Sequence, residues 1–323
     1  MGSYPPRIAI LTCTNDLHAL TIADRVERLF DARCDVIEVD TVATAGPGLS
    51  WSGTDGSLLP ARDGTEVTVA DIDAIWYRRV NMPQRDLGDI DTAYRGFIDQ
   101  TCAATVQGIA ATGFGGTWVS DPDASRNAEN KIVQLNAAAA AGLSVPATLV
   151  SQSPDAVTRF HTAMAGQIVM KPLRFAPAKP LLTIRVEPEH LLDTEAIRLC
   201  PTIFQEYIPG TEHLRVLCFG DEIHAVSIDS PLLDWRPNTG GVECRPVELD
   251  AATTSRIRAM LAALNLRMGI FDFKLNRGRP IFLEVNPQGQ FLFVEGLTGV
   301  DLATPFATFL YQEAARARDR QLR

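Results

Sequence analysis

The chain has no cysteine pair at CxxC spacing and no histidine at metal-ligand spacing beside a cysteine. Its six cysteines, at 13, 34, 102, 200, 218 and 244, and its five histidines are scattered over 323 residues. Neither a zinc site nor a Ser/His/Asp triad can be picked out from spacing, and the cysteines read as reduced, buried, small apolar residues. Also missing is any apolar run of about 18 or more residues. The opening MGSYPPRIAIL carries no basic segment ahead of a signal-type apolar region, so no membrane span is expected and cytoplasm is the default compartment. Positive charge is short as well: 30 basic against 39 acidic residues give a net charge of −9, which argues against a sequence-independent grip on DNA or RNA phosphates. No internal repeat or low-complexity segment is present. What remains is an ordinary globular composition, 46% apolar and 21% charged, on a chain too long for one compact core.

Residues 7–13 form an apolar run typical of a buried strand, residues 16–30 carry apolar side chains at helical spacing, and 34–39 follow as a second strand. This β-α-β opening predicts a doubly wound α/β domain, yet its first turn, TCTNDLHAL, has no GxGxxG, so a dinucleotide is not supported there. Residues 51–59 read as a surface hairpin around GTDG. Residues 74–80, AIWYRRV, read as a strand ending in Arg78 and Arg79. Adjacent strand residues face opposite ways, so one of the two can hold a substrate carboxylate in a cleft; the other reading sets both on the rim, paired with surface acids.

A helix over 94–112 and a short strand at 117–120 lead to SDPDASRNAENKIVQLNAAAAAGL. Asp121 or Asp123 can cap a helix there with Pro122 near its first turn, with Ile132, Leu135 and the alanines on its buried side and Gly142 at its end. Lys131 rides on that helix. Strands follow at 145–150 and 167–173, with a helix from Pro154 between them, and the second strand ends in Lys171. A lysine closing a buried strand needs a partner for its ammonium, and a nucleotide phosphate would serve. The remaining expectations are a strand at 181–186, a helix at 189–199, a strand at 202–208, two strands joined at Gly220 and Asp221, an irregular loop SPLLDWRPNTGG, and helices at 251–264 and 301–318.

Residues 269–290, GIFDFKLNRGRPIFLEVNPQGQ, organise the rest. Two alternating runs flank the turn residues Asn276, Arg277, Gly278 and Arg279, a β-hairpin pattern. Asp272 shares a face with Lys274, and Glu284 shares one with Asn286. Two carboxylates meeting across such a hairpin repel unless a cation lies between them, and two acids with an amide oxygen are the hard ligands that Mg²⁺ takes. The hairpin also suits a plainer reading, a half-buried ribbon with a hydrated polar face. Taken alone it leaves both open.

Lys131, Lys171, QEYI at 205–208, Glu212, Arg215, Asp272, Glu284 and Asn286 occur in the order and approximate spacing of an ATP-grasp ligase, and the resemblance covers nearly the whole chain. It implies an α/β fold, α+β in its C-terminal half: a doubly wound pre-ATP-grasp domain over 1–122, a central subdomain over 123–204, and a C-terminal subdomain with the metal hairpin over 205–323. It further implies that Lys131 and Lys171 contact the phosphates of ATP, and that Glu206 with the backbone of Tyr207 and Ile208 meets the adenine. Glu212 would hold the ribose, Asp272, Glu284 and Asn286 would ligate Mg²⁺, and Arg215 would neutralise the transferred phosphoryl group. The chain departs from that pattern after Lys171, where RFAPAKP replaces a glycine-rich phosphate loop, leaving Lys171, Arg174 or Lys179 to cover the phosphates.

A narrower resemblance rests on AIWYRRV, NAENKIVQLNAAAAAGLSVPATLV, DWR at 234–236 and LEVNPQGQFLFVEGLTGVDLATPFATFL, which look like the graspetide maturases that build microviridin-type products. It implies joining Asp or Glu side-chain carboxyls of a ribosomal precursor peptide, leader plus core, to its Ser/Thr hydroxyls (an omega-ester) or Lys amines. In that setting Asp234 and Arg236 match a DxR motif that handles the precursor; the alternative is a turn held by Asp234 with Arg236 stacked on Trp235. A homodimer is expected by analogy. Two further functions compete: a glutathione-synthetase-like ligase adding a free amino acid to a small carboxylate or peptide, and a non-catalytic nucleotide- or peptide-binding protein.

Overall fold

The five residues Ile8–Thr12, IAILT, are all buried, as a central strand with apolar side chains on both faces must be. They form the inner part of a parallel four-stranded sheet ordered Cys34–Glu38, Ile8–Thr12, Ala74–Tyr77, Thr117–Val119. Helix Leu17–Phe30 buries Ala19, Ile22, Ala23 and Val26, and Asp16 caps it by accepting a hydrogen bond from the His18 N–H. A small antiparallel sheet, Ser50–Ser52, Gly56–Pro60 and Glu66–Thr68, is the expected hairpin plus one strand. The computed structural model describes residues 5–41, 48–53, 56–80, 87–173, 181–235 and 242–322; the centre of the GTDG turn lies outside them. Among the described residues no helix is long and apolar enough to cross a membrane. All six cysteines are free; Cys13, Cys34 and Cys218 are buried, but Cys102 and Cys244 are only half-buried and Cys200 is exposed.

The chain divides into two units, Met1–Pro122 with Gln290–Glu295 and Asp301–Arg323, and Asp123–Gly289 with Gly296–Val300. The expected C-terminal subdomain over 205–323 therefore does not hold its own C-terminus. Helix Ala303–Gln321 returns to the first unit, where Phe306 lies 4.5 Å from the Trp76 ring and Leu310 and Ala314 are buried. A strand's flat apolar face needs a cover, and this helix supplies it from the far end of the sequence. Helix Leu292–Thr298 was not foreseen.

In the second unit two antiparallel sheets carry the site. One is ordered Ile184–Arg185, Ile168–Lys171, Thr202–Glu206, Thr148–Ser151. Strand Thr202–Glu206 lies inside it, so a boundary drawn after residue 204 would cut a paired strand. Its apolar face, Ile168, Val186 and Phe204, packs with Val157 of helix Pro154–Ala163. The expected helix over 189–199 is two, Pro188–Leu192 and Thr194–Leu199, because the Asp193 side chain accepts from the Ala196 N–H and starts a new turn.

The other sheet has five strands, ordered Glu243–Val247, Glu222–Asp229, Glu212–Phe219, Met268–Asn276, Arg279–Asn286. Leu214, Val216, Phe271, Phe273, Phe282 and Val285 face a core shared with helix Ala251–Ala263. Helix Lys131–Ala140 is separate from the preceding Pro122–Ala128, since Asn130 caps it by accepting from the Ile132 N–H. That break resets the helical phase: Gln134 and Ala138 face inward and Ile132 is exposed, contrary to expectation. The Gln134 side-chain amide takes the place of a neighbouring strand, donating to the Val285 carbonyl at 2.8 Å and accepting the Val285 N–H at 3.0 Å. The Ser144 carbonyl likewise accepts the Phe282 N–H at 2.8 Å.

Candidate functional site

The hairpin of strands Met268–Asn276 and Arg279–Asn286 turns through Arg277 and Gly278, both at positive φ (52° and 76°), the primed geometry whose twist matches the flanking strands. Its register sets Ile270 opposite Asn286, Phe271 opposite Val285 and Asp272 opposite Glu284, then slips so that Phe273 meets Phe282. This bulge leaves Leu283 as an extra residue. Phe282 and Val285 thereby both keep to the core, while Leu283 and Glu284 both line a cavity. Gly289 has a separate reason: a Cβ there would come within 2.4 Å of Ile270 Cγ1, so only glycine lets the chain leave the hairpin along this route.

Asp272 and Glu284 are thus direct cross-strand neighbours, and each is met by a cation. Arg215, cross-strand from Asp272 on the other side, donates through Nη1 to Oδ1 at 2.8 Å and Oδ2 at 3.1 Å. Lys131, first residue of its helix, is ion-paired with Glu284. Asn286 is exposed, and its Oδ1 accepts from the Gln288 N–H. Among the described residues no cluster of three His, Cys, Asp or Glu side chains forms a metal site. The candidate ligand set is two carboxylates and an amide oxygen, an all-oxygen set of the kind magnesium prefers.

The adjoining cavity, of about 180 Å³, lies wholly in the second unit. A water molecule needs only about 10–15 Å³ of such space, so the cavity can admit part of a larger ligand. Lys131, Lys171, Asp272 and Glu284 line it together with Glu206, Tyr207, Ile208, Asp234 and Trp235. The Glu206 carboxylate accepts from the Ala147 N–H at 3.1 Å, and the Tyr207 N–H donates to the Gln167 carbonyl at 2.9 Å. The Arg185 guanidinium lies 3.9 Å from the Tyr207 ring centroid, which stiffens this segment. Glu212 is not part of the cavity lining and lies 3.4 Å from Arg245.

Two residues that sequence reasoning left without a role belong to the same wall. His213 and Lys274 are cross-strand neighbours, both buried, with Lys274 Nζ 3.1 Å from His213 Nε2. Burial first, and the Lys274 ammonium second, push the His213 pKa down to about 4, so the ring is neutral at ordinary pH; burial also lowers the Lys274 pKa. Strand alternation already set Lys274 on the face of Asp272, but the partnership with His213 depends on a register between strands about sixty residues apart.

Arg78 does not face a substrate, as one sequence reading held. It is fully buried in the first unit and donates through Nε to Asp16 at 2.6 Å, because a guanidinium inside an apolar sheet must bring its own carboxylate. Arg79 is only partly buried and also has partners. Arg236 and the whole of RFAPAKP, with Arg174 and Lys179, lie outside the described residues.

No protein-family model matches the chain. It is 30% identical over 219 residues to a probable alpha-L-glutamate ligase of Xanthomonas oryzae pv. oryzae (strain MAFF 311018), an overlap spanning 64% of this chain and 72% of that one. Among solved structures it is similar to the macrocyclase MdnC of Microcystis aeruginosa MRC, crystallised with the precursor peptide MdnA, at a TM-score of 0.83 and 26% identity over 95% of this chain and 98% of that one. The fold also matches a Chryseobacterium gregarium RiPP-associated ATP-grasp ligase in complex with ADP and a leader and core peptide, at a TM-score of 0.83 and 21% identity over 98% and 97% of the two chains. The chain belongs to the ATP-grasp ligases, ADP-forming enzymes, and it is similar in fold to macrocyclases of that group solved with precursor peptides.

Proposed function

We propose that this protein uses ATP and Mg²⁺ to join Asp or Glu side-chain carboxyls of a ribosomal precursor peptide to Ser/Thr hydroxyls or Lys amines of the same peptide, closing macrolactone or macrolactam rings. The observation that carries the reading is the facing pair Asp272 and Glu284, each already held by a cation, on the wall of a cavity that also contains Lys171 and the 206–208 segment. Asp272, Glu284 and Asn286 would hold the magnesium ion, which when bound neutralises charge on the phosphates. Arg215 and Lys131 stand close enough to turn from carboxylate to phosphoryl oxygens, Lys171 adds a further cation, and residues 206–208 take the adenine. Glu212 lies outside the cavity lining, which gives its ribose role less support than the others.

A carboxylate is a poor electrophile. Transfer of the γ-phosphoryl group to its oxygen gives an acyl phosphate and ADP; attack by the hydroxyl or amine then forms the ester or amide and releases phosphate and a proton. The first step depends on positioning and on cations around the phosphoryl oxygens, which Lys131, Lys171 and Arg215 provide. Asp234, at the cavity wall, and Arg236 are assigned to the precursor, with Arg79 as a further candidate contact. The cytoplasm and a homodimeric state complete the reading.

Purified protein given ATP, magnesium and the short peptide encoded beside it should yield ADP and a product lighter by one water per bond. Replacing Asp272, Glu284 and Asn286 together with alanine should remove Mg·ATP affinity in calorimetry; retained affinity would refute the site. The glutamate-ligase names of the relatives favour a second reading, addition of a free amino acid. A product heavier by a second substrate, rather than lighter by water, would establish it.

A further inference from the structure

Among the described residues Lys274 is a buried cation with no carboxylate ion-paired to it. Its hydrogen-bond partner is the neutral His213 Nε2. An ammonium has three N–H donors, and the imidazole takes one. The other pairs in this part of the site are balanced, Lys131 by Glu284 and Arg215 by Asp272. Desolvating an unmatched ammonium is costly, so a ligand anion is the natural complement in a cavity that Lys274 lines.

The register says which anion. Strand Glu212–Phe219 starts just after the 206–208 segment; His213 and Lys274 pair near that end, and Arg215 and Asp272 pair two residues further on. Two strand residues span about 6.8 Å. Lys274 thus sits between the segment assigned to adenine and the carboxylates assigned to the metal. We propose that Lys274, oriented by His213, binds the α-phosphate of the nucleotide. His213 is a positioning residue: a hydrogen bond to the Leu232 backbone holds its ring, the carboxylates of Asp234 and Asp229 act on it, and its Nε2 fixes one Lys274 N–H so that the other two point elsewhere.

The inference rests on the nucleotide reading above, and calorimetry on the full chain separates the two. Wild-type protein should bind AMP more tightly than adenosine. K274M should lose that advantage, about tenfold or more for a charged hydrogen bond, with adenosine affinity unchanged. A K274M protein that still prefers AMP, or that loses adenosine affinity equally, overturns the assignment; no nucleotide binding by the wild type would instead overturn the proposed function. Methionine keeps the length of the side chain and removes the buried charge, so its unfolding midpoint should not fall. A K274M chain that cannot fold would make the ammonium structural and count against the proposal. H213L should raise KM for ATP at unchanged kcat, and H213Q, which keeps an acceptor, should restore it; a fall in kcat at unchanged KM would remove His213 from this role.

Discussion

Arg78 and Arg215 are both strand arginines bound to an aspartate, and their surroundings make them different residues. Arg215 meets Asp272 beside a cavity and lies 5.7 Å from the Trp235 ring, where a ligand can compete for it. Arg78 is sealed with Asp16, its Nη1 and Nη2 have no hydrogen-bond partner among the described residues, and its guanidinium lies 4.9 Å from the Trp76 ring. Breaking such a pair strands a buried charge. D16N should therefore destabilise the protein by about 3–5 kcal/mol in denaturant unfolding, and a loss under about 1 kcal/mol would show that the pair is not sealed. Asp16 is itself held well within the ionised range by Arg78, even though its own burial acts the other way. Sequence could say that Arg78 and Arg79 face opposite ways. It could not say which faced inward, because the deciding partner is 62 residues distant.

At the scale of elements, the hairpin was legible because a two-residue turn with glycine and two alternating runs are local signals. The bulge was not, since nothing local marks that Leu283 and Glu284 together oppose a single residue. The second illegible element is the break at Asn130 in a run that reads as one helix. Its capping bond fixes where helix Lys131–Ala140 begins, and so fixes Lys131 in the first turn, within reach of Glu284. N130A should cost about 0.5–2 kcal/mol of stability and, by loosening Lys131, raise KM for ATP several-fold. Unchanged KM would mean that Lys131 is aimed by Glu284 alone. The order of Lys131, Lys171, Asp272, Glu284 and Asn286 was readable through its resemblance to that of an ATP-grasp ligase, whereas the pairings of Lys131 with Glu284 and of Arg215 with Asp272 needed the fold.

For the whole molecule, what the sequence hid was the return of its last stretch to the first unit. The tilted rings of Phe291 and Phe306 lie 5.0 Å apart, and the backbone N–H groups of Phe291 and Leu292 both donate to His18 Nε2. A chain ending at Gly289 should therefore lose the first unit while keeping the second; limited proteolysis should spare a fragment close to 123–289, and survival of both units would show that the helix is dispensable. Substrate handling follows from another feature. The hairpin's outer strand has its Val285 amide and carbonyl engaged by Gln134 and its Phe282 amide by Ser144. An unfolded peptide carries a full set of unsatisfied amides and would anneal to any bare sheet margin. Here positions 282 and 285 of that margin are already occupied, so on the proposed reading the incoming chain is to be gripped there through its side groups, and a ringed product would meet no ladder at those positions to keep it from leaving.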